Sequence, residues 1–385
     1  MSKVLFIFGT RPEAIKMAPL VIEFKKKSDL FITEVCVTAQ HREMLDQVIN
    51  FFHIKPDYDL NLMKPRQNLF DVTANGIKGI EGVVNSSKPD LIFVQGDTTT
   101  VLIGALAGYY NKIKVAHLEA GLRSGNKLSP FPEEMNRILT GHLSDYHFAP
   151  TNKAKENLFN EGIKENVWVV GNTVIDAMLL ALEIIKDRNI EGNIIKFYNE
   201  IISGFDNLIS DSNNKRIILV TGHRRESFGK PFENICFALK DVVEKYEDVE
   251  IIYPVHLNPN VREPVNRILN NQKRIHLIEP LDYSSLIWLL NRSFLVLTDS
   301  GGIQEEAPSL AKPVLVMRDV TERIEGIESG TAILVGTDRK RIFNAADRLL
   351  SDEDEYRRMA KAVNPYGNGD TSKKIVNILA QHNVN

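Results

Sequence analysis

Residues 90–120, DLIFVQGDTTTVLIGALAGYYNKIKVAHLEA, contain two apolar runs that are separated by a longer helix-forming segment. The runs at 90–96 and 113–120 are continuously hydrophobic rather than alternating, which is typical of strands buried on both faces of a parallel sheet. The segment at 99–111 is predicted to be the helix that connects them. This strand–helix–strand unit predicts a doubly wound α/β fold.

The same alternation extends through the chain in both directions. Further strands are predicted at 3–9, 32–39, 146–150 and 167–171, and then at 216–222, 249–255, 274–279, 294–300, 313–317 and 331–336. Helices are predicted at 12–27 and 42–52. Between the two series lies a polar stretch, 186–215, that is rich in asparagine near both ends. Two α/β domains with parallel sheets are therefore expected.

A chain of 385 residues is long enough for two domains. We place the boundary ahead of an apolar helix at 172–185 that would connect them. The predicted domains are 1–171 and 172–368, with a C-terminal helix at about 369–385 that packs back on the first domain. Because ligands of open parallel sheets bind outside the carboxyl ends of the strands, an active-site cleft is expected between the two domains.

The composition is that of a globular protein, with 43% hydrophobic and 25% charged residues. A net charge of -3 provides no basic field that would attract nucleic acid or an anionic membrane. Cys36 and Cys236 lie in apolar surroundings, and no CxxC or Cys/His spacing is present, so core positions are favoured over a disulfide or a metal site. The first apolar run is too short for a signal peptide or a membrane span. We expect a cytoplasmic protein of enzyme size.

The segment FGTRPEAIKMAP, at 8–19, follows the first predicted strand. Gly9 permits a tight turn and Pro12 suits the first turn of a helix, whose N-terminus attracts anions. Arg11 and Lys16 add positive charge, although an ordinary strand–helix loop with surface basic residues explains the pattern equally well. Neither a GxGxxG fingerprint nor a Walker A loop is present here, which disfavours NAD and P-loop chemistry.

Several carboxylates follow the predicted strands of the first half. Asp97 alone is more typical of a helix N-cap than of a catalytic group. Glu119 ends an apolar run, where a carboxylate needs a partner, and Arg123 could supply a structural ion pair. Glu133 and Glu134 fall in the first turn of a predicted helix, where the helix dipole favours acids. Each has a structural explanation, but their concentration at strand ends favours a catalytic cluster.

In the second half, His223 lies at a strand end beside Arg224 and Arg225, a combination that suits phosphate recognition. A histidine on its own would more often be structural.

The segment LTDSGGIQEEAPSL, at 297–310, predicts a strand, a turn of small residues and a helix. At Ser300, Gly301 and Gly302 the backbone N–H groups could approach a diphosphate, although glycines in such a turn can also merely relieve steric crowding. Glu306 could accept hydrogen bonds from ribose hydroxyls. Arg323 follows the next strand and could reach the same phosphates.

Together these segments resemble a known family. They are GTRPEAIKMAPL (9–20), TAQHREMLDQV (38–48), GDTTT (96–100), HLEAGLRS (117–124), SPFPEEMNR (129–137), TGHRRESFG (221–229), HLNPNVRE (256–263), TDSGGIQEEAPSL (298–310) and AKPVLVMRD (311–319). The chain closely resembles the non-hydrolysing UDP-N-acetylglucosamine 2-epimerases from Lys3 to about Asn368. The resemblance implies the GT-B architecture, two Rossmann-like domains with a nucleotide-sugar cleft between them. It also implies a cytoplasmic homodimer that interconverts UDP-GlcNAc and UDP-ManNAc without a metal or redox cofactor.

The resemblance assigns roles by position. It implies catalytic roles for Asp97, Glu119, Glu133 and His223. It implies contacts to the nucleotide sugar from Arg11, Lys16, Ser300, Gly301, Gly302, Glu306 and Arg323. It also implies a second, activating UDP-GlcNAc site formed by Gln40, Glu43, Arg66 and His256.

The expected reaction eliminates UDP to give a 2-acetamidoglucal and then adds it back, which would supply ManNAc units for surface polysaccharides. Three alternatives stay open at this point. A hydrolysing epimerase would release ManNAc and UDP, and a GT-B glycosyltransferase would share the fold and the UDP site but need an acceptor. A UDP-sugar sensor without enzymatic activity would tolerate loss of the carboxylates.

Overall fold

The computed structural model describes residues 1–38, 42–62 and 67–382. The strands within these ranges are β1 Ser2–Phe8, β2 Phe31–Val37, β3 Tyr58–Asp59, β4 Leu91–Gln95, β5 Lys114–Leu118, β6 Tyr146–Ala149, β7 Val167–Val169, β8 Arg216–Thr221, β9 Val249–Pro254, β10 Ile275–Ile278, β11 Leu295–Thr298, β12 Val314–Val316 and β13 Ala332–Leu334. Each strand predicted from the sequence is present, and the short β3 was not predicted.

The α-helices of the same ranges are α1 Arg11–Lys26, α2 Arg42–Phe51, α3 Leu69–Ser87, α4 Thr99–Tyr110, α5 Glu133–Leu143, α6 Asn152–Asn160, α7 Thr173–Asp187, α8 Glu191–Ile201, α9 Phe205–Ile209, α10 Lys230–Lys245, α11 Pro259–Leu269, α12 Tyr283–Arg292, α13 Gly301–Glu306, α14 Ile324–Glu328, α15 Arg339–Ser351, α16 Glu353–Ala360 and α17 Thr371–Gln381. Short 3-10 segments occur at Asp211–Asn213, Arg225–Ser227 and Ala307–Leu310.

The described strands form two parallel sheets. One has the order β3-β2-β1-β4-β5-β6-β7 and the other the order β10-β9-β8-β11-β12-β13. In each sheet the chain starts near the centre, moves to one edge and then returns to build the other side, which is the order of a doubly wound Rossmann-type sheet. The predicted α/β fold class is confirmed.

The chain divides into two compact units. The first comprises Met1–Leu180 together with the C-terminal segment from Tyr366, and the second comprises Ala181–Pro365. The division falls inside α7, just beyond the boundary predicted from the sequence. Helix α17 belongs to the first unit, where it packs against α1.

The core of the first unit includes aromatic rings from three of its central strands. Phe6 of β1 stacks on Phe93 of β4 with ring centroids 5.0 Å apart, and Phe93 stacks on Phe148 of β6 at 5.8 Å. Two glycines let α4 approach this sheet closely, because a Cβ at Gly104 or Gly108 would lie 2.8 Å from a Val94 methyl or 2.4 Å from a Val115 methyl. Helix α4 therefore packs on both β4 and β5, whose carboxyl ends pair at Gln95 and Leu118.

Cys36 and Cys236 are free thiols buried in the first and second unit, as predicted. Among the helices of the described residues, none combines the length and the apolar character needed to cross a bilayer.

Candidate active site

The order of strands reverses between β1 and β4 in the first sheet and between β8 and β11 in the second. Ligands of doubly wound sheets bind beside the carboxyl ends of strands at such switch points, because the flanking loops diverge there. The loops at these four strand ends begin at Gly9, Gly96, Gly222 and Asp299. Among the predicted site residues, Asp97, His223 and Ser300 lie on these loops, and Glu119 begins the loop after β5. Arg11, Lys16, Gly301, Gly302 and Glu306 lie in the helices that follow the loops.

Glu13 organises the first of these loops. One of its oxygens accepts hydrogen bonds from the backbone N–H groups of Gly9 and Thr10, both at 2.7 Å, and the hydroxyl of Thr98 donates to the other. Burial raises the pKa of Glu13, and these hydrogen bonds partly oppose that rise. Gly9 is required in this loop because a Cβ would lie 2.0 Å from the hydroxyl oxygen of Thr38. Glu13 thus connects the loop after β1 to the loop after β4.

Glu119 directly follows β5 and has a left-handed backbone with φ of 64°. Lys16 Nζ lies 2.6 Å from both carboxylate oxygens. Gln95 Nε2 donates to Oε2, and Asn172 Nδ2 donates to Oε1 at 3.1 Å. The side chain of Glu119 is 6% exposed, so these donors replace the water that burial removes. Lys16, which was predicted to contact the nucleotide sugar, is therefore also the ion-pair partner of a predicted catalytic acid.

The proposed ion pair between Arg123 and Glu119 is wrong. Arg123 makes two hydrogen bonds of 2.7 Å to the carboxylate of Glu161. The reason is the path of the chain after β5, where Glu119 and Gly121 both have positive φ. This turn carries the following residues towards α6, since a Cβ on Gly121 would lie 2.1 Å from the carbonyl oxygen of Ala154.

Asp97 is not the N-cap of α4, so that interpretation is also wrong. The helix begins one residue later and its N-cap is Thr98. The carboxylate of Asp97 instead accepts from Arg137 Nε at 2.8 Å and lies 2.6 Å from Arg137 Nη2. Its backbone oxygen accepts from the side chain of Asn136 at 2.9 Å. Asp97 is therefore held from α5 rather than by the helix that it precedes.

Glu133 and Glu134 begin α5, as predicted. Glu134 is buried and accepts from the backbone N–H groups of Ser124 and Gly125 at 2.9 Å. Its Oε2 also accepts from Arg137 Nη1 at 3.1 Å, so Arg137 bridges Glu134 and Asp97. Glu133 is half-buried, and within the described ranges its carboxylate forms no hydrogen bond or ion pair. Arg11 is also half-buried, as the first residue of α1.

In the second unit, Asp299 holds the loop that carries His223. Its Oδ2 accepts from the backbone N–H groups of His223 at 2.6 Å and Arg224 at 2.8 Å, and its Oδ1 lies 3.1 Å from His223 Nδ1. Burial alone would raise the pKa of Asp299, but the hydrogen bonds and charge of these partners outweigh it and hold the pKa below its ordinary value. Nδ1 of His223 faces Asp299. The other ring nitrogen, Nε2, does not contact Asp299.

A cavity of about 400 Å³ adjoins His223 and is lined by His223, Arg224, Arg225, Glu226, His256 and Asn258. The ring of His256 stacks on that of His223 with centroids 5.5 Å apart. Burial, and then the neighbouring His223, lowers the pKa of His256. Its cationic rim makes this cavity suited to an anionic ligand.

Four residues were predicted to form a second UDP-GlcNAc site, and the structure describes two of them. His256 belongs to the cavity in the second unit, and Glu43 lies exposed in the first turn of α2 in the first unit. Gln40 and Arg66 lie outside the described residues.

The turn after β11 contains the predicted diphosphate contacts. Ser300 is the N-cap of α13, and its backbone N–H donates to Thr298 Oγ1 at 2.9 Å. Gly301 faces the guanidinium of Arg323, since a Cβ there would lie 3.2 Å from Arg323 Cζ. Arg323 is held by the buried Glu305, whose Oε1 accepts from Nε at 2.8 Å.

Glu306 and Gly302 complete this group. A Cβ on Gly302 would lie 3.8 Å from Oε2 of Glu306, which is itself buried. The structure therefore brings Ser300, Gly301, Gly302, Glu306 and Arg323 together around one turn. In the part of the chain that the structure describes, no cluster of three or more His, Cys, Asp or Glu side chains could hold a metal ion.

A family model described as UDP-N-acetylglucosamine 2-epimerase matches residues 23–380. The chain belongs to the UDP-N-acetylglucosamine 2-epimerase family. It is 52% identical over 383 residues to the UDP-N-acetylglucosamine 2-epimerase of Escherichia coli (strain K12), with 99% of each chain covered. The epimerase of Yersinia pestis is 53% identical over 384 residues, again with 99% of each chain covered.

Solved UDP-GlcNAc 2-epimerases share the fold. The Neisseria meningitidis enzyme bound to UDP-GlcNAc has a TM-score of 0.88 and 47% identity, with 98% of this chain and 100% of that chain covered. The Methanocaldococcus jannaschii enzyme in complex with UDP-GlcNAc and UDP has a TM-score of 0.79 and 36% identity, with 98% and 99% covered. The predicted family and the GT-B architecture of two Rossmann-like units are confirmed.

Several residues of this epimerase site were not found from the sequence. Glu13 could have been, because Thr10 and Glu13 have the spacing of a capping box, which the structure contains. Asp299, Arg137 and Asn172 carry no local signal of their roles. Their partners are distant in sequence, so the contacts appear only once the strands have paired.

Proposed function

We propose that this epimerase reversibly inverts C2 of UDP-GlcNAc to give UDP-ManNAc by eliminating UDP and adding it back, without hydrolysis. One observation carries the proposal. Two carboxylates, Asp97 and Glu119, follow the paired strands β4 and β5, and each is held by a different cation, Arg137 for the first and Lys16 for the second. Inversion at C2 needs two proton-transfer groups, one for each face of the sugar, and this pair supplies candidates for both.

The chemistry explains why UDP must leave. The C2 hydrogen is not adjacent to a carbonyl and is barely acidic until positive charge develops at C1. A base then takes the C2 proton, the C2–H electron pair forms the C1–C2 double bond, and the C1–O bond breaks with its electron pair leaving on UDP. In the return step UDP adds to C1 and a proton reaches the opposite face of C2. The two steps balance without an oxidant, so the proposal includes no redox cofactor, and the family resemblance implies that no metal is needed.

We assign proton transfer at C2 to two of Asp97, Glu119 and Glu133. The environments of these three carboxylates differ. Glu119 is enclosed by nitrogen donors, Asp97 is 27% exposed beside Arg137, and Glu133 is half-buried at the start of α5. Different surroundings are how two carboxylates in one site take opposite acid and base roles.

The second unit serves the departing diphosphate in this proposal. The backbone N–H groups of Gly301 and Gly302 and the guanidinium of Arg323 suit its negative charge, which is largest when the C1–O bond breaks. The N–H of Ser300 donates to Thr298, so Ser300 is assigned a contact through its hydroxyl. His223, oriented by Asp299, assists the leaving phosphate. Arg11 and Lys16 of α1 add positive charge, and Glu306 is assigned to the ribose hydroxyls.

Three further features belong to the proposal and are supported by the family resemblance. The enzyme works as a homodimer in the cytoplasm, and its UDP-ManNAc supplies ManNAc units for surface polysaccharides. A second UDP-GlcNAc molecule binds at Gln40, Glu43, Arg66 and His256 and activates the enzyme.

The deciding experiment is incubation with UDP-GlcNAc in deuterated water, followed by NMR and mass analysis of the sugar. We expect a pool of UDP-ManNAc and deuterium at C2 of both nucleotide sugars. Free ManNAc with UDP would indicate a hydrolysing epimerase. An inverted product that retains the original hydrogen would exclude exchange with solvent, and turnover that depends on an added acceptor would indicate a glycosyltransferase.

A further inference from the structure

The two segments that join the units meet beside Glu119. The chain leaves the first unit within α7 and returns at Tyr366. The backbone N–H of Asn172 donates to the carbonyl oxygen of Tyr366 at 2.7 Å. Gly171 has φ of 95°, and a Cβ there would lie 3.0 Å from the same carbonyl oxygen and 2.8 Å from Thr371 Oγ1. The outgoing and returning segments are thus in direct backbone contact.

The side chain of Asn172 reaches from this contact to the candidate catalytic acid. Asn172 is 3% exposed. Its Oδ1 accepts from the backbone N–H of Val174 at 3.1 Å, at the start of α7. An N–H donor must face the amide oxygen, so the amide orientation is fixed and its NH₂ group points to Oε1 of Glu119 at 3.1 Å.

We propose that Asn172 is a positioning residue for Glu119. It connects the carboxylate of Glu119 to the two segments that join the units. The proposal rests on the proposed role of Glu119 in proton transfer. Of the donors to Glu119 described above, Lys16 belongs to α1 and Gln95 to β4, whereas Asn172 belongs to the connecting segment. Any displacement of that segment moves this donor, and the orientation of the carboxylate responds.

The decisive variant is Asn172→Asp. It has the same shape and keeps an oxygen for the Val174 N–H, but it replaces the donor to Glu119 with a second carboxylate. Two carboxyl groups at hydrogen-bond distance share a proton at pH values where an isolated pair would both be ionised. We expect the acid limb of the kcat–pH profile to move to higher pH by about one unit or more. Asn172→Ala, which only removes the donor, should lower kcat about tenfold with KM within about twofold.

A thermal readout tests the same contact without turnover. Asn172→Asp should lower the melting temperature at pH 7, and most of that loss should be recovered in the double variant with Glu119→Gln, because the like-charge pair is then gone. The matched control is Asn199→Asp, at an asparagine of α8 whose oxygen also accepts a backbone N–H, from Asp206. It should leave the pH profile unchanged.

The outcomes separate this inference from the proposed function. If Asn172→Ala keeps the wild-type kcat, or if Asn172→Asp keeps the wild-type pH profile, Asn172 does not position Glu119. In that case exchange at C2 by the wild type still supports the proposed reaction. If the wild type shows no exchange at C2, the proposed reaction itself fails. If Glu119→Gln is fully active, Glu119 takes no part in proton transfer and this inference loses its premise, while the proposed reaction can still proceed through Asp97 and Glu133. UDP binding measured by calorimetry should be equal in the wild type and the Asn172 variants.

Discussion

Nitrogen donors from three different segments meet at the carboxylate of Glu119. They come from α1, from β4 and from the residue that precedes α7. A carboxylate with this shell is fixed in orientation, because each lost water is replaced by a donor. Asp97 differs, since the fork of one guanidinium holds it and part of it stays exposed. The surroundings of the two groups differ, which suits the opposite roles that we propose for them at C2.

Asp97→Asn tests the first of these groups. The variant keeps the size of the side chain and removes its charge and its capacity to exchange a proton. We expect turnover to fall by at least about a thousandfold, while UDP affinity, measured by calorimetry, changes less than about threefold. Near-normal turnover would remove Asp97 from the mechanism. Asp370→Asn is a suitable control, because the side chain is 40% exposed and its carboxylate pairs with Lys374.

Asp299→Asn tests the support of His223. The amide keeps one oxygen for the loop N–H groups but removes the negative charge that faces the imidazole. We expect kcat to fall about tenfold or more, because second-layer partners fix ring orientation. The double variant with His223→Asn should be no slower than His223→Asn alone, since Asp299 acts through the histidine. Additive losses would contradict that.

At the scale of elements, the turn after β5 decides where several side chains point. Glu119 and Gly121 have φ of 64° and 90°, and Gly121 passes directly over the first turn of α6. This turn directs Glu119 to the donors at the strand ends and carries Arg123 to Glu161. A substitution here should therefore affect both stability and the site.

Gly121→Ala should be strongly destabilising. Positive φ costs a non-glycine residue about 1 kcal/mol, and the new Cβ would also meet backbone at Ala154, which adds about 1–3 kcal/mol of overpacking. The matched control is Gly162→Ala, where φ is 85° but no atom lies within 4 Å of the new Cβ. Denaturant unfolding of both variants should show the larger loss at Gly121. Equal losses of unfolding free energy in the two variants would mean that the backbone at Ala154 shifts at little cost to admit the new Cβ.

At the scale of the whole molecule, two buried histidines make the folded first unit sensitive to acid. His117 of β5 pairs in register with His147 of β6, and both are almost inaccessible. Burial lowers the pKa of His117 to about 3 and that of His147 to about 4. In the unfolded chain a histidine pKa is about 6.5. Between about pH 6.5 and 4 the unfolded chain therefore binds protons that the folded protein excludes, and stability falls as the pH falls.

The difference in histidine pKa between the folded and unfolded states predicts a measurable dependence of stability on pH. Each buried histidine contributes about 1.4 kcal/mol of unfolding free energy per pH unit within that window. His147→Gln should therefore make the decline in melting temperature between pH 6.5 and 4.5 shallower, as measured by calorimetry. His53→Gln, at an exposed histidine, is the control and should run parallel to the wild type. A parallel curve for His147→Gln would show that His147 is protonated in the folded state.

The sequence by itself determined the architecture of this protein. Continuous apolar runs, separated by helix-forming segments, predicted both parallel sheets. A strand that is buried on both faces of a sheet needs an apolar side chain at nearly every position. The strand β3 was not predicted, because two residues are too few to show a hydrophobic pattern. The residues after each strand were singled out as site candidates because strand ends in such sheets meet at one edge, and their roles stay predictions. The quoted motifs then identified the family.

Only the tertiary structure decided which side chains are partners. Lys16 and Glu119 are 103 residues apart, His223 and Asp299 are 76 apart, and Asn172 and Glu119 are 53 apart. From local sequence, Arg123 was the obvious partner for Glu119, and a cap was the obvious role for Asp97. Both interpretations were wrong, because short-range hydrogen bonds depend on distances that are fixed by strand pairing and by the turn at Gly121. The hydrophobic pattern of the sequence specifies the strands, the helices and the fold class. The folded backbone then determines which charged side chains lie close enough to pair.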